Sequence, residues 1–200
     1  DSLYCDPVLS PKRQGALWVM HQIFEQLVHM LVPVLPFTAQ EAFQHRHRNM
    51  NDLSIQWAKL PEAPQEWHAP ELAEKFQTQR DIRSIVNTAL EKARAGGLFG
   101  SSLQASVILH DPKGHLTQSE ANMAEMSIVS NFIRKDTPCT DTSAFVDDRL
   151  SLGVIVAKAE GEKCERCWKV LPEVGTLLHE TLCKRCQDAV TLDHEVSSAR

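Results

Sequence analysis

Four cysteines near the end of the chain stand as two close pairs, Cys164 with Cys167 and Cys183 with Cys186, in the stretch EGEKCERCWKVLPEVGTLLHETLCKRCQDAV. The pattern C-x2-C-x15-C-x2-C has the spacing of a four-thiolate zinc site. Two residues between thiols let one tight turn aim both sulfurs at a single ion, and a second such turn completes a tetrahedron. Four protein thiolates leave no position for water, so a Zn2+ held this way is structural rather than hydrolytic. The intervening residues, with Pro172 and Gly175, are long enough for a short hairpin that returns to the metal. So small a module has little core of its own, and the metal is expected to supply much of its stability.

Two other chemistries use paired cysteines. A thioredoxin-type dithiol sits at a helix N-terminus after a βαβ pattern, which does not precede these pairs. Structural disulfides belong to secreted chains, and paired spacing argues instead for a reducing compartment. Cys5 and Cys139 are left over and read as ordinary buried or half-buried thiols.

Beside the ligands stand Trp168, Arg166, Lys169, Lys184 and Arg185. An aromatic ring among cations can stack an unpaired base and hold a phosphate. The same residues also suit a ring packed over its own knuckle with solvated charges around it, and Glu160, Glu162, Glu165, Glu173 and Glu180 nearly cancel the local positive charge. Both readings stand at this level.

The elements that must position this module begin with helices. Ser10-Pro11 is an N-cap followed by proline at the first helical position. Ala16, Leu17, Val19, Met20, Ile23, Phe24, Leu27, Val28 and Leu31 then repeat at helical spacing, a wide apolar face suited to a bundle. Pro33 and Pro36 end or kink that helix. Thr38 and Glu41 form a capping-box pattern that predicts a short second helix through Phe43. From about Arg48 to Pro70 the chain reads as a long surface connection pinned by Trp57 and Trp67. A third helix carries Leu72, Phe76, Ile82, Ile85, Val86, Ala89, Leu90 and Ala93 on one face, and Gly96-Gly97 stops it.

The period then shifts towards two. SLQASVILH alternates Leu103, Ala105, Val107 and Leu109 on one face of a strand, DPKG (111–114) is a turn, and Thr117 with Glu120 opens a short helix. SIVSNFIR and LSLGVIVAK read as two more strands. The expected fold is therefore mainly an α-helical bundle over 1–100, a small α/β unit over 101–158, and a four-cysteine, zinc-ribbon-like module over 159–200.

Composition narrows the function classes. Of the 200 residues 42% are apolar and 24% charged, with a formal net charge of −5, which suits a globular protein and not one that coats DNA. The longest apolar run, about Leu27 to Phe37, is broken by His29, Pro33 and Pro36, so no membrane span or membrane partner is expected. DSLYCDPVLSPKR is no signal peptide, and Asp at the first position suggests a piece of a longer chain. No Ser/His/Asp set, paired carboxylates or phosphate loop is legible. GGLFGS follows a helix and precedes a strand, the wrong order for phosphate binding. HRHR (45–48) reads as a solvated helix end within reach of a phosphate. Catalytic residues: none.

DSLYCD (1–6), VLPFTAQEAF (34–43), GSSLQASV (100–107) and AEGEKCERCWKV (159–170) occur in this order. Together they closely resemble the C-terminal part of bacterial-type isoleucyl-tRNA synthetases, a family within the class I aminoacyl-tRNA synthetases. LPFTAQE resembles related synthetases generally, whereas GEKCERCW…CKRC singles out the isoleucine family. The resemblance implies an anticodon-binding bundle, a junction domain and a zinc module near the anticodon loop, with Cys164, Cys167, Cys183 and Cys186 as ligands and Trp168 against the tRNA. It implies tRNA(Ile) and the rest of the synthetase chain as partners, a cytoplasmic and monomeric enzyme, and ATP and Mg2+ used only in a catalytic domain outside this segment. The His-Ile-Gly-His and Lys-Met-Ser-Lys-Ser signatures of that domain are absent here. Two readings from other classes compete: a free-standing zinc-ribbon adaptor that binds protein, and a dithiol redox protein.

Overall fold

The computed structural model describes residues 2–47 and 54–198, with the side chains of 194–198 outside the description. Arg48, the last residue of HRHR, and the start of the long connection that follows therefore lie outside the described residues. The chain forms two compact units, Ser2–His68 and Ala69–Arg200.

The first unit holds α1 (Ser2–Cys5), α2 (Pro11–Leu31) and α3 (Pro36–Arg46). The start of α2 is as the sequence predicts: the Ser10 hydroxyl accepts the Arg13 N–H at 3.1 Å, and Pro11 follows the cap. Helix α3 begins earlier than the capping-box pattern predicts. Pro36, with φ already set for a helix, initiates it, and no side chain caps it. A small core joins Val28, Ala39, Phe43 and Ile55. Polar contacts fasten α2 to the end of α3. His47 Nε2 donates to the Glu25 carboxylate at 2.9 Å, and the Arg46 guanidinium donates to His21 Nδ1 at 3.0 Å. In the connection only one of the two tryptophans acts as a pin. Trp67 meets Trp18 edge to face at 5.7 Å, while Trp57 is exposed.

The second unit holds the sheet. Helix α4 (Pro70–Ala95) buries Ile82, Ile85, Val86, Ala89 and Leu90, the i, i+3, i+4 stripe of an amphipathic helix. It ends in a Schellman turn: Gly97 takes φ +77°, Leu98 N–H reaches Ala93 O at 3.1 Å, and Gly97 N–H reaches Arg94 O at 2.9 Å. Strands β1 (Ala105–His110), β2 (Asn131–Lys135), β3 (Phe145–Asp147) and β4 (Leu152–Lys158) form one sheet in the order β2-β1-β4-β3. β1 runs parallel to β2, with α5 (Glu120–Met126) in the connection, and antiparallel to β4. The alternate residues Ala105, Val107 and Leu109 share one core with the α4 stripe, Met123 and Ala124 of α5, and Leu152 and Val154 of β4.

Helices first, a small mixed sheet next and four close cysteines last is the expected order. The bundle expectation holds only in part: the third helix packs on the sheet, in the unit Ala69–Arg200. The cap of α5 also differs from the sequence reading. Ser119, not Thr117, accepts the Asn122 N–H, and Glu120 instead takes the Arg134 backbone N–H at 2.6 Å, tying the helix to β2. Among the described residues no helix is long and apolar enough to cross a membrane.

Candidate metal centre

The last strand of the sheet leads into a strand pair, β5 (Glu162–Lys163) with β6 (Val170–Leu171), which closes over the first cysteine pair. The hairpin thus spans the first knuckle, whereas the sequence placed one in the stretch between the two pairs. Inside it Cys164 N–H donates to Lys169 O at 2.8 Å and Trp168 N–H to Cys164 O at 2.9 Å. These two bonds fold the backbone around Cys164 and turn both sulfurs the same way. The second pair is built differently. Cys183 immediately precedes α6 (Lys184–Ser198), and Cys186 lies in its first turn. The open N–H groups at a helix start favour thiolates there. Glu165 N–H to Thr181 O at 3.0 Å holds the knuckles together, and Cys183 N–H donates to Cys164 Sγ at 3.3 Å.

All four Sγ atoms lie within 4.8 Å of one another and all four residues are buried. Zn–S bonds of about 2.3 Å in a tetrahedron require sulfurs about 3.8 Å apart. Cys167 and Cys183 already stand 3.6 Å apart. The donor set is all soft thiolate, which suits Zn2+ and excludes hard cations such as Ca2+ and Mg2+. Arg166 donates to Cys186 Sγ at 3.8 Å, so one of the nearby cations offsets the negative charge of a four-thiolate site.

Burial and proximity make these thiols unequal. A hydrogen bond from Cys167 holds the Cys183 thiol down to about 5. The same bond, together with burial, pushes Cys167 upward. Burial pushes Cys186 up to about 12, against the Arg166 guanidinium, which favours its thiolate. Cys183 therefore ionises readily, whereas Cys167 and Cys186 keep their protons until a dication replaces them. The sign for metal binding follows: zinc displaces protons at neutral pH, and acid competes with it. Zinc occupancy is expected to fall as pH drops from 7 to 5, with protons released on loading. A chromogenic zinc indicator and a pH-stat check both. Binding that does not change with pH would contradict a thiolate site.

A hydrogen bond and an ion pair dock the module on the rest of the second unit. Val170 N–H donates to Ser130 Oγ at 2.7 Å, and Ser130 hydroxyl in turn donates to Leu103 O. Arg185 faces the Glu125 carboxylate of α5 at 3.8 Å.

Comparison with known proteins agrees with this geometry. Residues 161–189 match the family described as "Zinc finger found in FPG and IleRS", and residues 1–109, more than half of the chain, match "Anticodon-binding domain of tRNA ligase". The chain belongs to the tRNA-ligase anticodon-binding family. The isoleucine–tRNA ligase of Gluconobacter oxydans is 39% identical over 198 residues, covering 96% of this chain and 19% of the relative. Those of Mesorhizobium japonicum and Caldanaerobacter subterraneus are 37% and 36% identical, covering 88% and 93% of this chain. The chain thus spans about a fifth of the length of the curated relatives it matches. The zinc-finger match and the four clustered cysteines support one structural Zn2+ in this family member.

Within that family frame the five residues flagged beside the ligands separate. Trp168 is 60% exposed and has φ +65°. Lys184 is exposed and Lys169 half-buried. Arg166 and Arg185 are half-buried and already engaged, one with a ligand sulfur and one with Glu125. Lys163 was not singled out from the sequence, yet its ammonium stands over the Trp168 ring at 5.4 Å from the centroid. Five residues of separation through a metal knuckle give no periodic signal for that contact.

Proposed function

We propose that this chain is the C-terminal tRNA-recognition segment of an isoleucine–tRNA ligase. The observation that carries the reading is the match to isoleucine–tRNA ligases along 96% of the chain, through the helices as well as the cysteines. The functional parts are 1–100 for the anticodon arm, 101–158 as the junction, and 159–200 as the zinc module. The anticodon-binding match, which runs through α4 to residue 109, supports counting that helix with the first part, although it packs on the sheet. The whole enzyme charges tRNA(Ile) with isoleucine, with ATP and Mg2+ at a catalytic domain outside these residues. It works as a cytoplasmic monomer.

Unpaired anticodon bases are read by stacking and edge hydrogen bonds, while cations hold phosphates. Trp168 is the stacking group in this reading, with Lys169 and Lys184 near the backbone and Arg166 and Arg185 contributing what their protein contacts leave available. Fluorescence anisotropy of the zinc-loaded protein with an isoleucine tRNA transcript, and with one altered only in the anticodon, tests it. Tighter, salt-sensitive binding to the cognate anticodon is expected. Trp168→Ala should cost about 1–3 kcal/mol, or about 5- to 150-fold, in that affinity. Equal affinity for both transcripts would move anticodon discrimination out of this segment.

A further inference from the structure

Trp168 combines three features that a ring packed for stability would not need. It is 60% exposed, its backbone sits at φ +65°, and it directly follows a buried ligand. The left-handed region is an outlier for a bulky residue, and glycine would occupy it without strain. Such strain at an exposed side chain points to a use for that side chain. The backbone at this position is not free to relax. Trp168 N–H donates to Cys164 O, and the next carbonyl, Lys169 O, accepts from Cys164 N–H. The main chain is therefore fixed by the metal knuckle, and only the two side-chain torsions remain to aim the indole.

Lys163 addresses those torsions. It lies on β5, where it pairs with Val170 of β6, so its own backbone is fixed by the same hairpin. Its ammonium stands 5.4 Å from the indole centroid, within the range of cation–π attraction, on one face of the ring. A cation on one face leaves the opposite face as the stacking surface.

We propose that Lys163 is a positioning residue that holds the Trp168 indole by one face and presents the other to an unpaired nucleobase. The nucleobase part rests on the tRNA-binding reading above; the positioning part rests on the hairpin geometry. Lys163 acts through the ring and does not contact the phosphate.

Lys163→Met keeps the stem and removes the charge, and Lys163→Arg restores a cation that stacks on aromatic faces. Zinc content and the amide exchange of β5 and β6 serve as controls for folding. The first readout needs no RNA. The 15N heteronuclear Overhauser effect of the Trp168 indole N–H, assigned through Trp168→Phe, should fall in Lys163→Met and recover in Lys163→Arg. An unchanged value in Lys163→Met overturns the proposal. The second readout is affinity for the isoleucine tRNA transcript across a salt series. A cation–π contact predicts about a two- to fivefold loss for Lys163→Met. That loss should vanish in a Trp168→Ala background, and the dependence on salt should not change. A salt slope shallower by about 0.7 would instead mean direct phosphate contact and would also overturn it. If the zinc-loaded wild-type protein binds no tRNA, the functional reading fails, while the indole measurement still decides the role of Lys163.

Discussion

Removing zinc is expected to unfold the C-terminal module and leave the sheet intact. The large core of the second unit runs from Ile82 to Val154 and, among the described residues, includes none of the module. Beyond Ala159 the buried apolar residues among those described are the four ligands, Val174 and Ala189. Two short strands and one helix cannot hold together on so few contacts. The metal contributes on the order of 10–16 kcal/mol in peptides that fold around such sites, far more than this small cluster could supply. Chelation should therefore expose the amides of Cys164, Lys169 and Val170 to rapid hydrogen exchange, while those of β1 and β4 remain slow. The same pattern is expected for Cys164→Ser with zinc present, since loss of one thiolate opens the tetrahedron. The decisive contrast lies within one molecule. Slow exchange at Val170 after chelation would show that docking through Ser130 Oγ suffices to hold the hairpin, and that the metal is incidental to the fold.

The parts of this architecture that the sequence revealed are those set by local geometry. Ligand spacing exposes the zinc site because the turn between Cys164 and Cys167 needs only neighbouring residues. The alternation of Ala105, Val107 and Leu109 exposes β1 because one face of the sheet is buried. Gly96-Gly97 marks the end of α4 because a left-handed turn there requires glycine. What stayed hidden depends on partners distant along the chain. Periodicity shows that α4 has an apolar face but not that the face meets a sheet. Strand β3 is three residues long, and only its register with β4, Phe145 opposite Val154, makes it a strand. Glu120 resembled a capping residue until the Arg134 N–H, fourteen residues on, claimed its carboxylate. The pairing of Lys163 with Trp168 belongs to this second kind as well: the metal knuckle, not the helical or strand period, brings them together.

The Gly161→Ala substitution should disable the zinc site without touching a ligand. Gly161 immediately precedes β5 and takes φ +103°, where an L side chain is strained. A Cβ there would stand 2.3 Å from the carbonyl carbon and oxygen of Leu171 and 2.5 Å from Pro172 N. Those are main-chain atoms of β6 and the residue after it, so no side-chain rotation relieves the overlap. The strands would have to part, and Glu162–Leu171 is the pair next to the collision. Strain of about 1–2 kcal/mol from the left-handed backbone and about 1–3 kcal/mol from overpacking combine to a cost of about 3 kcal/mol. Because that hairpin carries Cys164 and Cys167, the cost falls on zinc binding and weakens it about a hundredfold or more, at about 1.4 kcal/mol per decade. Gly175→Ala supplies the control. Gly175 has a similar φ of +94°, but no neighbouring atom lies within 4 Å of an added Cβ. It should incur the backbone strain alone and weaken zinc by about tenfold. Competition titrations with a chelator of known affinity measure both. Equal losses at the two glycines would mean that φ, not the close approach of Gly161 to Leu171, limits the site. A larger loss at Gly161 would show that contact between the two backbones sets the zinc affinity of the module.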